Sequence, residues 1–134
     1  MIRRTVLSMI TMWAMTTAAV AASPVGRWVA VEIGGLPVAR GVETSFALDA
    51  DGRVSGRGGC NRYGGDARLG PGSIAFGPLM ATEMACPRPE MDQESRFFQA
   101  MASVATWRLD DGRLVLGDGA GRPVVVFAPA RSGD

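Results

Sequence analysis

The sequence predicts a mainly β domain of the α+β kind: a compact antiparallel sheet curled into a partial barrel, with one helix packed against it. Short runs rich in Val, Ile, Leu, Phe and Trp recur along the chain, some with the period-two alternation of a half-buried strand. Turn dipeptides separate them, notably Asp51-Gly52, Pro71-Gly72 and Asp111-Gly112, and tight turns join antiparallel neighbours. Only Glu90–Val104 carries helical spacing. A sheet of about seven or eight such strands tends to curl on itself to hide its edges, leaving the helix to cover one opening or face.

The first strand is read at Gly26–Ile33 (GRWVAVEI), where the second half alternates and β-branched residues are frequent. Gly34-Gly35-Leu36-Pro37 breaks it. Val42–Asp49 is the second strand, with Val42, Thr44, Phe46 and Leu48 on one face. Asp51-Gly52 turns the chain into Arg53–Gly56. Asp49–Gly52 fails as a calcium loop: aligning Gly52 to the invariant glycine puts Ala47 and Gly58 where acidic ligands are required. Further short strands are read at Asp66–Leu69 and Ser73–Phe76. Pro87-Arg88-Pro89 then suits a helix start.

In the helix, Met91, Phe97, Phe98, Met101, Ala102 and Ala105 form the apolar stripe, read as core-facing rather than as a ligand groove. Glu90, Asp92 and Glu94 crowd its first turns, favourable against the helix dipole. Thr106–Leu109, Arg113–Leu116 and Val124–Phe127 close the domain, and Ala128–Asp134 reads as a frayed tail. Phe46, Phe76, Trp107 and Phe127 supply bulk to fill a barrel interior.

At 134 residues the chain holds at most one domain, and its net charge of +1 implies neither nucleic acid nor an acidic surface as a partner. All basic residues are arginine, and histidine is absent. That removes the commonest general base, the commonest metal ligand and the Schiff-base amine. The expectation is a protein that is not an enzyme, with no catalytic residue set, cofactor or metal.

Residues 1–22 read as a secretory signal: Arg3 and Arg4, an apolar run from Val6 to Val20, and the small-residue site Ala19-Val20-Ala21. The run is short for a membrane span, which needs about 20 residues. No cysteine stands at the cleavage site to take a lipid. The expected mature domain is 23–134, periplasmic or secreted, with no stable membrane anchor. Its two cysteines, Cys60 and Cys86, would in an oxidising compartment pair as a disulfide, with two buried thiols or a reactive or metal-binding pair as alternatives.

Cys60 lies in Ser55–Gly65 (SGRGGCNRYGG), which holds five glycines and the only tyrosine. Gly56, Gly58, Gly59, Gly64 and Gly65 are expected to bracket a sharply bent segment. The spacing fits neither phosphate-binding pattern: there is no lysine, and Asn61 stands where G-x-G-x-x-G needs its third glycine.

The chain resembles the META domain family, also called HslJ-like. Gly26-Arg27-Trp28 is similar to the family's opening G-x-W strand. Ser55-Gly56, Gly59-Cys60-Asn61-Arg62-Tyr63 and Gly65 resemble its SG…GCN-x-[YF]-x-G signature. Thr82-Glu83-Met84-Ala85-Cys86 resembles its T-x-M-A-C block, and Glu94 to Phe97 with Met101 its following helix. The likeness runs from Pro24 to Phe127. It implies a lipocalin-like β structure with one helix, an exported or envelope setting, and an association with heat shock and envelope stress. It brings no catalytic residues.

A structural role is therefore expected for Gly59, Asn61, Arg62, Tyr63, Gly65 and Thr82. Asn61 is expected to bond loop backbone, and Tyr63 and Thr82 to fix the two signature segments together. The leading function is a non-enzymatic envelope domain, expected to be monomeric, whose partner is an unknown envelope protein or a small apolar ligand. A thiol/disulfide redox protein using Cys60 and an apolar-ligand barrel are the alternatives.

Overall fold

The computed structural model describes residues 9–14 and 22–131. The signal segment read at 1–22 and the last three residues of the tail fall wholly or largely outside these. Ten strands and one helix follow in chain order: β1 Gly26–Ile33, β2 Leu36–Pro37, β3 Ser45–Leu48, β4 Arg53–Arg57, β5 Arg62–Gly70, β6 Ser73–Phe76, β7 Met80–Ala81, α1 Arg88–Met101, β8 Thr106–Asp110, β9 Arg113–Gly117 and β10 Pro123–Pro129. Every pairing is antiparallel.

The strands run β1-β3-β4-β5-β6-β8-β9-β10, and β10 pairs back to β1, so the sheet closes into a ring. The ring is not a regular barrel, because β6 and β8 share one register pair, Ser73 with Thr106. β2 and β7 lie off this ring, pairing β1 and β5. These two-residue strands account for the excess over seven or eight: neither is long enough to show alternation. No helix of the described residues is long and apolar enough to cross a membrane.

The ring closes over an aromatic interior. Phe46 stacks on Phe127 at 5.3 Å, Phe97 of α1 meets Phe127 edge-on at 6.5 Å, and Tyr63 lies 5.4 Å from Phe97. Phe46, Phe97 and Phe127 are fully buried, whereas Phe76 and Trp107 are half-buried at the margin. All four inward positions read for the second strand are buried: Val42, Thr44, Phe46 and Leu48. The strand itself starts only at Ser45. Thr44 still carries on the β1–β3 register, its carbonyl accepting from the Ala30 amide at 2.8 Å, while its hydroxyl donates to the Gly58 carbonyl at 2.7 Å.

Three further expectations are corrected. The helix spans Arg88–Met101, starting two residues earlier because Pro89 fits its first turn, and stopping three residues sooner. The last strand continues through Ala128 and Pro129, held by β1 pairings Val29–Ala128 and Trp28–Pro129. The glycine-rich stretch is not one long bend. The chain reverses only at 58–61, where the Gly58 amide donates to the Asn61 carbonyl at 2.9 Å, and Gly64 and Gly65 lie inside β5.

The β9–β10 turn shows local charge chemistry. Asp118 accepts from the Arg122 and Ala120 amides, both at 2.9 Å, and its other oxygen lies 3.4 Å from the Arg122 guanidinium. The Arg122 amide above all, helped by the Ala120 amide and the Arg122 guanidinium, holds its carboxyl below the usual range and outweighs the opposing effect of desolvation.

Candidate functional site

The signature residues converge where the β4–β5 turn meets α1 and the segment leading into it. Glu94 is the hub. One carboxylate oxygen accepts from the backbone amides of Cys60, at 3.1 Å, and Asn61. The other accepts from Asn61 Nδ2 at 2.8 Å. Both Asn61 and Glu94 are buried, so these bonds replace water that the folded chain excludes.

Asn61 also faces the second signature block. Its Oδ1 accepts from the Thr82 hydroxyl at 2.9 Å and the Met84 amide at 2.6 Å, and its Nδ2 donates to the Met84 carbonyl at 3.2 Å. Thr82 Oγ1 accepts from the Arg62 amide at 3.2 Å, and the Thr82 amide donates to the Arg62 carbonyl at 3.0 Å. Cys60 and Cys86 are joined as a disulfide with their Cα atoms 5.9 Å apart, within the range a bridge needs. The turn, the segment Thr82–Cys86 and the helix are thus tied by one covalent bond and a single polar network.

Each expected residue has a definite place. Gly59 faces the helix: a Cβ there would sit 2.7 Å from the Glu90 carbonyl oxygen, and its φ of 156° already disfavours other residues. Gly65 lies beneath Leu79 and Pro78, where a Cβ would meet both at 2.9 Å. Thr82 links the two blocks. Asn61 bonds loop backbone, as expected, at the Met84 amide and carbonyl, and the rest of its bonding capacity goes to Thr82 and to Glu94 of the helix. Tyr63 does not reach the second block through its side chain. Its hydroxyl donates to the Ser45 carbonyl of β3 at 2.8 Å, its ring packs on Phe97 and Phe98, and burial pushes its pKa up. Arg62 enters the network through its backbone alone, and its side chain is exposed.

Helix residue Gln93 is fully buried beside Glu94, and the sequence reading assigned it no role. Its Oε1 accepts from the Ala39 amide at 2.7 Å, and its Nε2 donates to Thr44 Oγ1 at 2.8 Å and the Val42 carbonyl at 3.2 Å. Adjacent helix residues therefore hold different loops, Gln93 the one at 39–44 and Glu94 the turn at 58–61. Glu94 works through these bonds, not through the helix dipole. Helical spacing carries the missed signal: Gln93 and Glu94 stand four residues before Phe97 and Phe98, on the face that packs inward. Polar residues there must be bonded internally.

Gly58 tests how closely the helix approaches. A Cβ on it would lie 2.9 Å from both Cγ and Oε1 of Glu94, and 3.1 Å from Phe98. Gly58→Ala should lower stability by about 2 kcal/mol, within the range for overpacked sites, read as a lower midpoint in denaturant at unchanged slope. An unchanged midpoint would show that the helix is not seated against the turn.

Beside this network lies an apolar groove of about 350 Å³, lined by Phe76, Gly77, Pro78, Leu79, Ala81, Phe98, Met101, Ala102 and Val104. Among the described residues no cluster of three or more acidic or cysteine side chains is arranged to hold a metal ion.

Three solved structures share the fold. One, determined by NMR, is of a protein from Burkholderia xenovorans: TM-score 0.63, 23% identity, covering 89% of this chain and 98% of that one. A second NMR structure has TM-score 0.63 at 21% identity, covering 81% and 92%. The third is a crystal structure of a DUF4847 family protein from Bacteroides vulgatus, with TM-score 0.58 at 15% identity, covering 80% and 94%. No curated protein sequence matches the chain. The META domain family matches residues 21–131, spanning the ring, the helix and both signature blocks, and the chain belongs to that family.

Proposed function

We propose that this chain is an exported, non-enzymatic META-domain protein of the HslJ-like kind, periplasmic or secreted, that supports the cell envelope under heat or envelope stress. One observation carries the non-enzymatic part: the signature's buried polar groups are spent on one another. Asn61, Thr82 and Glu94 bond among themselves and to backbone, and Cys60 is bonded to Cys86. A catalytic group must instead face a substrate within hydrogen-bond reach. Export is supported by the leader-like residues 1–22 and by a disulfide suited to an oxidising compartment. The stress role rests on the family resemblance.

The test combines fractionation with complementation. The protein should leave the cytoplasm shortened by its leader, with no thiol open to labelling until reductant is added. A deletion strain should lose survival under heat or detergent and regain it from the exported form alone. Rescue by a leaderless cytoplasmic form, or thiols that label without reductant, would contradict the proposal.

The apolar groove favours a second reading, a small apolar ligand, because its lining carries no charged side chain. An apolar fluorescent dye should then bind saturably and be displaced when Ala102→Trp fills the groove. Undiminished binding to that variant would exclude the groove.

A further inference from the structure

Arg62 belongs to the signature, yet its side chain takes no part in the network. Its register partner across the β4–β5 hairpin is Arg57, and both side chains are exposed. Tyr63 is buried in the core, so alternation sends Arg62, and Arg57 opposite it, to the outer face. The two amides bond elsewhere, Arg57 to the Ser45 side chain at 3.0 Å and Arg62 to Thr82 Oγ1 at 3.2 Å. The pair therefore stands at a non-hydrogen-bonded position, the closer kind, with Cα atoms about 4.5 Å apart. Like charges set directly opposite are destabilising. Among the described residues the one ion pair is Arg122 with Asp118, so no carboxylate pairs with either guanidinium.

Folding collects charge that composition averages out. The chain has a net charge of only +1. The outward positions of β4 and β5 hold four arginines, Arg53, Arg57, Arg62 and Arg68, and one carboxylate, Asp66, which lies opposite Arg53. Glu43 and Glu90 line a cavity with Arg57 but not with Arg62. Ser55 and Gly64, opposed at the centre, keep the face flat. Met80 pairs with Gly64, projects from the same face and is 75% exposed.

We propose that this face docks on an anionic phospholipid surface, with a lipid phosphate between Arg57 and Arg62 and Met80 entering the apolar boundary beneath the headgroups. Charge complementarity sets the class: two facing guanidinium forks match phosphate oxygens in paired bonds, and the anion relieves their mutual repulsion. Met80 gains from an apolar boundary and nothing from a free phosphate ion. The outward positions of β4 and β5 carry no aromatic ring on which bases could stack, which disfavours single-stranded nucleic acid. Docking of this kind is peripheral and salt-dependent, and it needs no membrane-spanning segment. The surface is independent of the export and stress reading, since the side chains of Arg57, Arg62 and Met80 carry none of that evidence.

The test is co-sedimentation of the oxidised full chain with vesicles. Phosphatidylcholine vesicles set the baseline, which includes any insertion of the apolar run at Val6–Val20. Adding phosphatidylglycerol should raise binding saturably above that baseline, and salt should remove the gain. Arg57→Gln and Arg62→Gln, both at exposed positions, should each weaken the phosphatidylglycerol-dependent binding about fivefold. Met80→Ser should weaken it as well. Arg113→Gln, at an exposed position on β9 across the ring, should leave it unchanged. Equal binding to the two vesicle types, full competition by soluble glycerol phosphate at matched ionic strength, tighter binding to duplex DNA than to the vesicles, or unchanged binding in both arginine variants would overturn the proposal.

Discussion

Glu94→Ala is expected to lower the unfolding free energy by about 3–4 kcal/mol, with a fall in Tm of roughly 15 °C. The carboxylate accepts three hydrogen bonds, from the Cys60 amide, the Asn61 amide and Asn61 Nδ2. Removing it leaves two backbone donors without partners in a site closed to water, while Asn61 Nδ2 keeps its bond to the Met84 carbonyl. Each orphaned donor costs about 1–3 kcal/mol. Glu94→Gln should not rescue fully. Its amide nitrogen would face a donor, either a backbone N–H or Asn61 Nδ2, and Asn61 cannot flip because its Oδ1 already serves Thr82 and Met84. Denaturant unfolding of both variants checks this. A Glu94→Gln protein as stable as the parent would show that the carboxylate is not the hub.

Breaking the disulfide should have a similar effect. The Cys60–Cys86 bridge closes a loop with a sequence separation of 26. Loop-closure entropy then gives about 3.5 kcal/mol for the paired Cys60→Ser, Cys86→Ser variant or for reduction. That is a large part of the about 5–15 kcal/mol a domain usually has. Because the Cys60 amide also bonds Glu94, the two perturbations share a site and should not add. If reduction loosens the turn first, the loss from Glu94→Ala will be smaller in reduced protein than in oxidised protein. Equal losses in both states would indicate that disulfide and carboxylate act independently.

Much of the fold was legible because it rests on local signals. β1 and β6 fall where alternation and turn residues put them, and Pro89 marks the start of the helix. Inward faces were also readable, as at Val42, Thr44, Phe46 and Leu48. What local pattern does not carry is where a side chain goes after the chain folds back on itself. Gly64 and Gly65 look like bend formers, but they lie in β5, and Gly65 is small so that Pro78 and Leu79 can cross it. Tyr63 is expected to help fix the two signature segments together; it does so through its backbone, paired with Ala81, while its hydroxyl reaches Ser45 on β3. Gln93 bonds residues 49 to 54 positions earlier in the chain, a separation no helical or strand period can reveal. The disulfide was readable only as one of several cysteine states until the turn and the helix entry were brought together.

The signature is a clamp whose polar groups are consumed in holding turn, segment and helix together. Native-state hydrogen exchange at the Cys60 and Asn61 amides tests it most directly, because both donate to Glu94 and to no strand neighbour. The prediction is protection close to that of the slowest β9 and β10 amides, so that both open only with global unfolding, and loss of that protection in Glu94→Ala, which leaves both amides without an acceptor. Exchange at the rate of an open hairpin loop would contradict the clamp and return Asn61 and Glu94 to the pool of groups available for binding or chemistry.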